Sequence, residues 1–294
     1  MIAAADESVR RAYRYCQWLT ARHYENFPVA SWVLPARLRP PVAAIYAFAR
    51  TADDFADERR DPAEALRELA AWGAHLERCA AGHPDHPVFV ALADTIRAYD
   101  LPVQLLRDLL TAFTRDVTVT RYDTWDDLLT NYCRYSANPV GRLVLRLFGY
   151  RDAALDELSD ALCTALQLTN FWQDLAIDLD KGRIYVPQSV LRQHGVMEEA
   201  FVRRQVDERF RRAMAEAADV TEQWFQRGRT LPDRVSGRLR WELRATWHGG
   251  MTILARVRAA SYDTWHRRPT LTALDKVRIG LAGLCPGPYR NGHH

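Results

Sequence analysis

The chain has 294 residues, with 40 Lys plus Arg against 37 Asp plus Glu and a formal net charge of +3. That length buries a substantial core without staples, and the arginines alternate with acids, as in VRRQVDERFRR, which excludes a basic nucleic-acid patch. Five cysteines without C-x-x-C spacing exclude a disulfide framework and a structural zinc site, and no run approaches the ~20 apolar residues of a membrane span.

The N-terminus MIAAADESVRRAYRY lacks a continuous apolar stretch of the secretory kind, so a cytoplasmic protein is expected, with buried thiols at Cys16, Cys79, Cys133 and Cys163. Helical apolar spacing recurs nearly everywhere, punctuated by Pro and Gly, while strand-like alternation is almost absent. The pattern predicts an all-α protein in one domain, 1–294. Helices are expected near 6–22, 40–58, 62–81, 86–99, 102–120, 124–148, 152–180, 198–229, 233–266 and 270–282.

After the first helix comes HYENFPVASWVLP, where Pro28 and Pro35 break continuity and leave Phe27, Trp32 and Leu34 as apolar anchors. Such a segment either covers one end of a pocket or is a packed interhelix loop. Pro40 and Pro41 then suit a helix's first turn, where a missing N–H costs nothing. In the helix that follows, Val42, Ile45, Tyr46 and Ala49 form an apolar stripe whose continuation reaches Asp53 and Asp57, with Asp54 adjacent. Acids at a helix C-terminus oppose the macrodipole, so Asp53, Asp54, Asp57 and Glu58 cost stability unless a cation relieves them.

His75, His83 and His86 fall in amphipathic helices and a Pro-rich turn and read as structural or solvent-facing; no Glu is followed three residues later by His, so the ligands of a di-iron bundle are missing. In NYCRYSANPVGRLVLRLFGY, Asn138–Pro139 and Gly141 interrupt an apolar helix beside Tyr132, Cys133, Tyr135 and Ser136, at a cost of about 1–3 kcal/mol. A helix bent around a cavity and a proline-kinked core helix both fit.

The next stretch, NFWQDLAIDLDKGRIYVP, puts Asn170, Asp174 and Asp178 on one helical face at steps of roughly 6 Å, continuing a stripe from Leu162 and Leu166. A second stripe thus passes from grease to oxygen ligands, which suits a ligand with an oily tail and an anionic head. Arg183 and Tyr185 follow the last carboxylate, where a guanidinium and a phenol can take phosphate oxygens. Helices from Met197 to His266, with Trp224, Trp241, Trp247 and Trp265, read as scaffold.

Two Asp-rich helices, a tyrosine-bearing kinked helix between them and RIYVP after the second together resemble the squalene/phytoene synthase family of head-to-head prenyl-joining enzymes. The resemblance implies the all-α isoprenoid synthase bundle with a central cavity. It assigns Asp53, Asp54 and Asp57, with Asn170, Asp174 and Asp178, to holding Mg²⁺ on a diphosphate, and Tyr46, Arg50, Arg183 and Tyr185 to the surroundings of that head group. Tyr132 and Gln167 match residues lining the reaction cavity, and His23, Asn26 and Phe27 stand in the family's N-terminal substrate-covering segment.

Within the family, the stretches look most like the bacterial enzymes that convert presqualene diphosphate to hydroxysqualene with water and without NADPH. Gln173 stands where an arginine usually precedes the second motif, and SANPVG replaces the commoner V-A-G-x-V-G. The charge missing at Gln173 argues against holding a second diphosphate. Ser136, Asn138 and Gln167 are candidates for positioning the water, and Tyr132 and Phe27 for facing the cation. Condensation of two prenyl diphosphates is the enzymatic alternative, and a noncatalytic helical assembly factor the alternative from another class. A lipophilic substrate also implies transient contact with a membrane surface through amphipathic helices.

Overall fold

The computed structural model describes residues 2–22, 34–58 and 61–284. His23, Asn26, Phe27, Pro28 and Trp32 lie outside the described residues, as do Cys285, His293 and His294. Helices dominate, and among the described residues there is no strand, only an isolated parallel bridge between Arg121 and Ile184. The all-α expectation holds. Contacts divide the chain into two compact units, Met1–Val119 with Pro139–Arg151, and Thr120–Asn138 with Asp152–His294.

The first unit is built from α1 (Ile2–Arg22), α2 (Arg39–Glu58), α3 (Pro62–Ala80), α4 (Pro87–Tyr99), α5 (Val103–Thr118) and most of α7 (Asn138–Leu147). Its core centres on Phe48, Trp72 and Phe89, and the Trp72 indole donates to the Phe48 carbonyl at 3.2 Å. His86 caps α4 by accepting from the Val88 amide at 3.2 Å, and His75 pairs with Asp85 at 2.6 Å, so both serve structure. His83 is exposed.

On α2 the face that packs inward is Ala43, Ala44, Ala47, Phe48 and Ala52. The stripe of Val42, Ile45, Tyr46 and Ala49 leading to Asp53 is only partly covered. Small alanines let the helix seat closely, with Val42 and Ile45 packed at the edge of the same core.

The second unit begins with α6 (Trp125–Leu128), which widens into a π-helical turn (Leu129–Cys133) and a last short turn (Arg134–Ser136) before α7. Then come α8 (Ala153–Gln173), α9 (Leu175–Asp180), α10 (Gln188–Gln193), α11 (Glu198–Val202), α12 (Glu208–Gly228), α13 (Leu231–Arg234), α14 (Gly237–Ala259) and α15 (Ala273–Leu284). The long helix α8 packs on α12 and α14. Gly228 permits the closest approach, since a Cβ there would stand 2.8 Å from the Leu162 amide nitrogen. Polar ties lock the layers: the Trp172 indole donates to Thr221 at 2.7 Å, and Thr264 donates to the Trp172 carbonyl at 2.8 Å.

Several expected helices are shorter than their periodicity. The one expected over 152–180 breaks at Asp174 (φ −110°, ψ 23°), whose side chain is engaged by neighbours, the kind of competition that makes Asp a poor interior residue. That over 198–229 is cut by Arg204 at φ 52° and restarted by Asp207, which accepts from the Phe210 amide. That over 233–266 spans only Gly237–Ala259, ending where Ser261 and Tyr262 turn left-handed.

One carboxyl on α14 is out of place in a helix core. Glu242 has an Oε2 sealed from solvent with no hydrogen-bond partner among the described residues, and burial pushes its pKa up to about 7. Between pH ~4.3, where an unfolded Glu titrates, and pH 7, the folded chain keeps a proton that the unfolded chain has lost. Stability therefore falls as pH rises through that window and is level above it. Glu242→Gln should flatten the profile and raise stability at pH 8 by about 2–3 kcal/mol in urea unfolding. An unchanged slope between pH 5 and 7 would show that Glu242 ionises without penalty.

Candidate functional site

In the first unit, the C-terminal turns of α2 hold three carboxylates close together, and the structure answers their repulsion with one guanidinium. Arg50 donates to Asp53 at 3.0 Å and pairs with Asp54 at 2.5 Å. Asp57, one turn beyond Asp53, is exposed. Tyr46 stands one turn before Arg50; burial raises its phenol pKa, Arg50 opposes the shift, and Asp53 and Asp54 add to it. Tyr46, Arg50, Asp53 and Asp54 are thus brought together as the sequence suggests.

In the second unit the column forms even though the helix is broken. Asp174 donates its amide to the Asn170 carbonyl at 2.9 Å and accepts from the Asp178 amide at 2.9 Å, so the four-residue steps survive. The Asn170 amide donates to Asp174 Oδ2 at 2.8 Å. Upstream, Cys163, Leu166 and Gln167 are only partly covered, while Leu162, Ala165 and Leu168 are buried. The row leading to Asn170 is thus covered at Leu162, and Leu166 packs against Gly250 while keeping partial exposure.

Sequence reasoning missed Arg268. Its guanidinium grips both oxygens of Asp174, through Nε to Oδ1 and through Nη2 to Oδ2 at 3.1 Å, and this bond raises the Arg268 pKa. Gln173 donates to the Pro269 carbonyl at 2.5 Å and so anchors the segment that delivers Arg268. The expectation that a charge is missing beside the second motif is corrected: a cation stands there, supplied from 94 residues away. The C-terminal part is more than scaffold for the same reason.

Tyr132 and Tyr185 come together with two rings that the sequence did not single out. Tyr185 stacks on Phe171 with centroids 3.7 Å apart, Tyr132 lies 5.4 Å from Phe171 and 5.3 Å from Tyr185, and Tyr122 closes the group. All four rings are buried and pack on one another.

Ser136 and Asn138 are placed differently from expectation. The Ser136 hydroxyl donates to the Tyr132 carbonyl at 3.0 Å. The Asn138 amide lies 3.1 Å from the Thr164 hydroxyl and, with its nitrogen turned inward, donates to the Cys133 and Asp160 carbonyls at 3.3 and 3.2 Å. These two side chains thus tie the kink to the preceding turn and to α8.

The segment after the column is strapped down by Arg121, also unforeseen. Its guanidinium donates to the Thr120 and Gly182 carbonyls at 2.8 and 2.6 Å and to Glu198 at 2.5 Å. Backbone bonds from Ile184 to Thr120 and from Gln188 to Tyr122 extend the tie. Arg183, whose amide donates to the Asp178 carbonyl at 2.8 Å, is thereby fixed beside the last carboxylate.

The donors are hard oxygens, two or three to a stripe, and a guanidinium neutralises them where a metal ion would otherwise do so. Among the described residues no three His, Cys, Asp or Glu side chains are placed to enclose a metal by themselves. Carboxylate and amide oxygens are the donor type that magnesium takes, one or two at a time, with waters and phosphates completing its shell.

A family model described as squalene/phytoene synthase matches residues 20–275, and the chain belongs to that family. Over 289 residues it is 30% identical to the 15-cis-phytoene synthase of Synechococcus elongatus, covering 93% of this chain and 94% of that one. It is 42% identical over 169 residues to the hydroxysqualene synthase of Rhodopseudomonas palustris, a match spanning 57% of this chain and 56% of the relative's length. Among solved structures, squalene synthase HpnC from Alicyclobacillus acidocaldarius is 41% identical with a TM-score of 0.82, covering 88% of this chain and 98% of that one. A dehydrosqualene synthase at 24% identity shares the fold, with a TM-score of 0.84 over 95% of this chain and 97% of that one. The chain is thus a prenyl diphosphate-processing synthase by family.

Arg121→Ala should speed amide exchange across Ile184–Ser189 about tenfold, through loss of roughly 1–2 kcal/mol of local stability, while α12 and α14 keep their protection. Arg121→Lys should recover part of that protection. Exchange unchanged in Arg121→Ala would mean the backbone bonds alone hold the strap.

Proposed function

We propose that this protein makes hydroxysqualene from presqualene diphosphate, with 1–294 acting as one catalytic domain. The observation that carries the reading is the repeated set of oxygen ligands at a helix end, Asp53, Asp54 and Asp57 on α2 and Asn170, Asp174 and Asp178 after α8, each set with a guanidinium on its acids, Arg50 and Arg268. One oily ligand with an anionic head satisfies both. Identity to hydroxysqualene synthase and to squalene synthase HpnC, at 42% and 41%, favours this substrate over the phytoene synthase reaction.

In this scheme Asp53, Asp54, Asp57, Asn170, Asp174 and Asp178 hold Mg²⁺, with His23, Asn26 and Phe27 over the substrate. When bound, Mg²⁺ supplies Lewis-acid neutralisation of the departing diphosphate. Arg50, Arg183 and Arg268 contribute fixed positive charge, and Tyr46 and Tyr185 a phenol each, to the same head group. The carbon–oxygen bond breaks with its electron pair on diphosphate, leaving a carbocation that the cluster around Tyr132 and Phe171 faces. Water forms the new carbon–oxygen bond, and its proton leaves with the released diphosphate. No electrons are exchanged, so NADPH is not needed. Gln167, on the partly covered stripe of α8, is the group that orients the water; Ser136 and Asn138 act by holding the kink.

Condensation of two prenyl diphosphates is the second reading, favoured by the full-length likeness to phytoene synthase and by the cation that Arg268 restores beside Asp174. No helix of the described residues is long and apolar enough to cross a membrane. An oily substrate of this kind would be met at a membrane surface. Purified protein given presqualene diphosphate and Mg²⁺ without NADPH should yield the alcohol, and farnesyl diphosphate alone should yield little. Turnover of two farnesyl or geranylgeranyl diphosphates, with presqualene diphosphate left untouched, would establish the second reading instead.

A further inference from the structure

The helix α15 is apolar on both faces. Inward, Ile279 meets Gly249, and Gly283 seats against the Trp241 indole, which itself donates to the Gly280 carbonyl. Outward, Leu274, Val277 and Leu281 recur at helical spacing and are 58%, 59% and 60% exposed. A helix that is greasy all round ordinarily has both faces covered. Three large apolar side chains side by side in water differ from the scattered exposed residues that any surface carries.

The charges on α15 are one-sided. Its only acid, Asp275, is occupied at the first turn by Arg256 and by the Thr272 amide and hydroxyl. Lys276 and Arg278 are exposed, so the solvent side of the helix presents an apolar row flanked by two cations. That is the composition of a helix lying in the plane of a bilayer with anionic head groups. We propose that the Leu274–Val277–Leu281 face of α15 docks this protein on an anionic lipid surface. The choice of a bilayer over another protein rests on the lipophilic substrate and product proposed above, together with the basic flank.

Flotation of the full chain with phosphatidylcholine vesicles, with and without phosphatidylglycerol, tests this without any turnover. Wild type should rise with the phosphatidylglycerol vesicles and be released by high salt. Val277→Glu combined with Leu281→Glu should remain at the bottom, and Lys276→Glu combined with Arg278→Glu should bind more than about 25-fold more weakly, at about fivefold for each cation lost. Both variants should keep wild-type thermal unfolding and rate on detergent-dispersed substrate. Wild type staying at the bottom, as it would were residues 285–294 to cover the face, overturns the proposal. So does flotation unaffected by either variant, or a dimer in light scattering that Leu281→Glu takes apart. A protein that floats yet makes no alcohol defeats the functional reading and leaves this surface standing.

Discussion

Two groups converge on the carboxylate of Asp174 where α8 breaks, the Asn170 amide and the Arg268 guanidinium, and the Gln173 amide anchors the Arg268 segment through the Pro269 carbonyl. A carboxylate at a helix end with no cation nearby would repel its neighbours and fight the macrodipole. Here the ion pair is two-pronged and Asp174 is largely covered, so it orders the segment after α14 as well as neutralising charge. Arg268 is itself half exposed, and the net stabilisation is accordingly small, on the order of 1 kcal/mol. The value of the pair lies in geometry. It holds an acid ready for a cation and a cation ready for an anion in the same few ångströms, which is what a metal-bridged diphosphate requires.

The same logic explains the loss of regular helix around the cluster. Around the π-helical turn at Leu129–Cys133 and the break after Ser136, the side chains of Ser136 and Asn138 add ties to the Tyr132, Cys133 and Asp160 carbonyls. What the distortion permits is the meeting of Tyr132 with Phe171, Tyr185 and Tyr122. π-helical turns inside helices frequently mark functional places for this reason. Arg121 then fixes the following segment by its carbonyls, so Tyr185 and Arg183 enter the site from a tethered backbone.

Much of this was legible in the residues. Period and punctuation gave the all-α class, and the spacing of Asp53 and Asp57, and of Asn170, Asp174 and Asp178, picked out the two sets of oxygen ligands. The alanines of α2 hid its true core face, because Ala43, Ala44, Ala47 and Ala52 carry little hydrophobic signal and still pack closest. Helix ends were misjudged where a single side chain or a left-handed residue overrides periodicity, as at Asp174, Arg204 and Ser261. Arg268 and Arg121 were invisible for a simpler reason. The partners that matter, Asp174 for Arg268 and Gly182 and Glu198 for Arg121, lie 94, 61 and 77 residues away, and an arginine among 40 basic residues bears no local mark of a distant carboxylate or carbonyl.

The proposal on which the functional reading turns is that the carboxylates of α2 and those of α8 and α9 bind the same diphosphate. A crystal structure with Mg²⁺ and a non-reactive presqualene diphosphate analogue measures this directly. The proposal predicts that the carboxylates of Asp53 and Asp174 would both hold Mg²⁺ for the analogue's diphosphate, with Arg268 released from Asp174 onto phosphate oxygen. Two separate anion sites, or a diphosphate held by one stripe while the other stays in solvent, would contradict it.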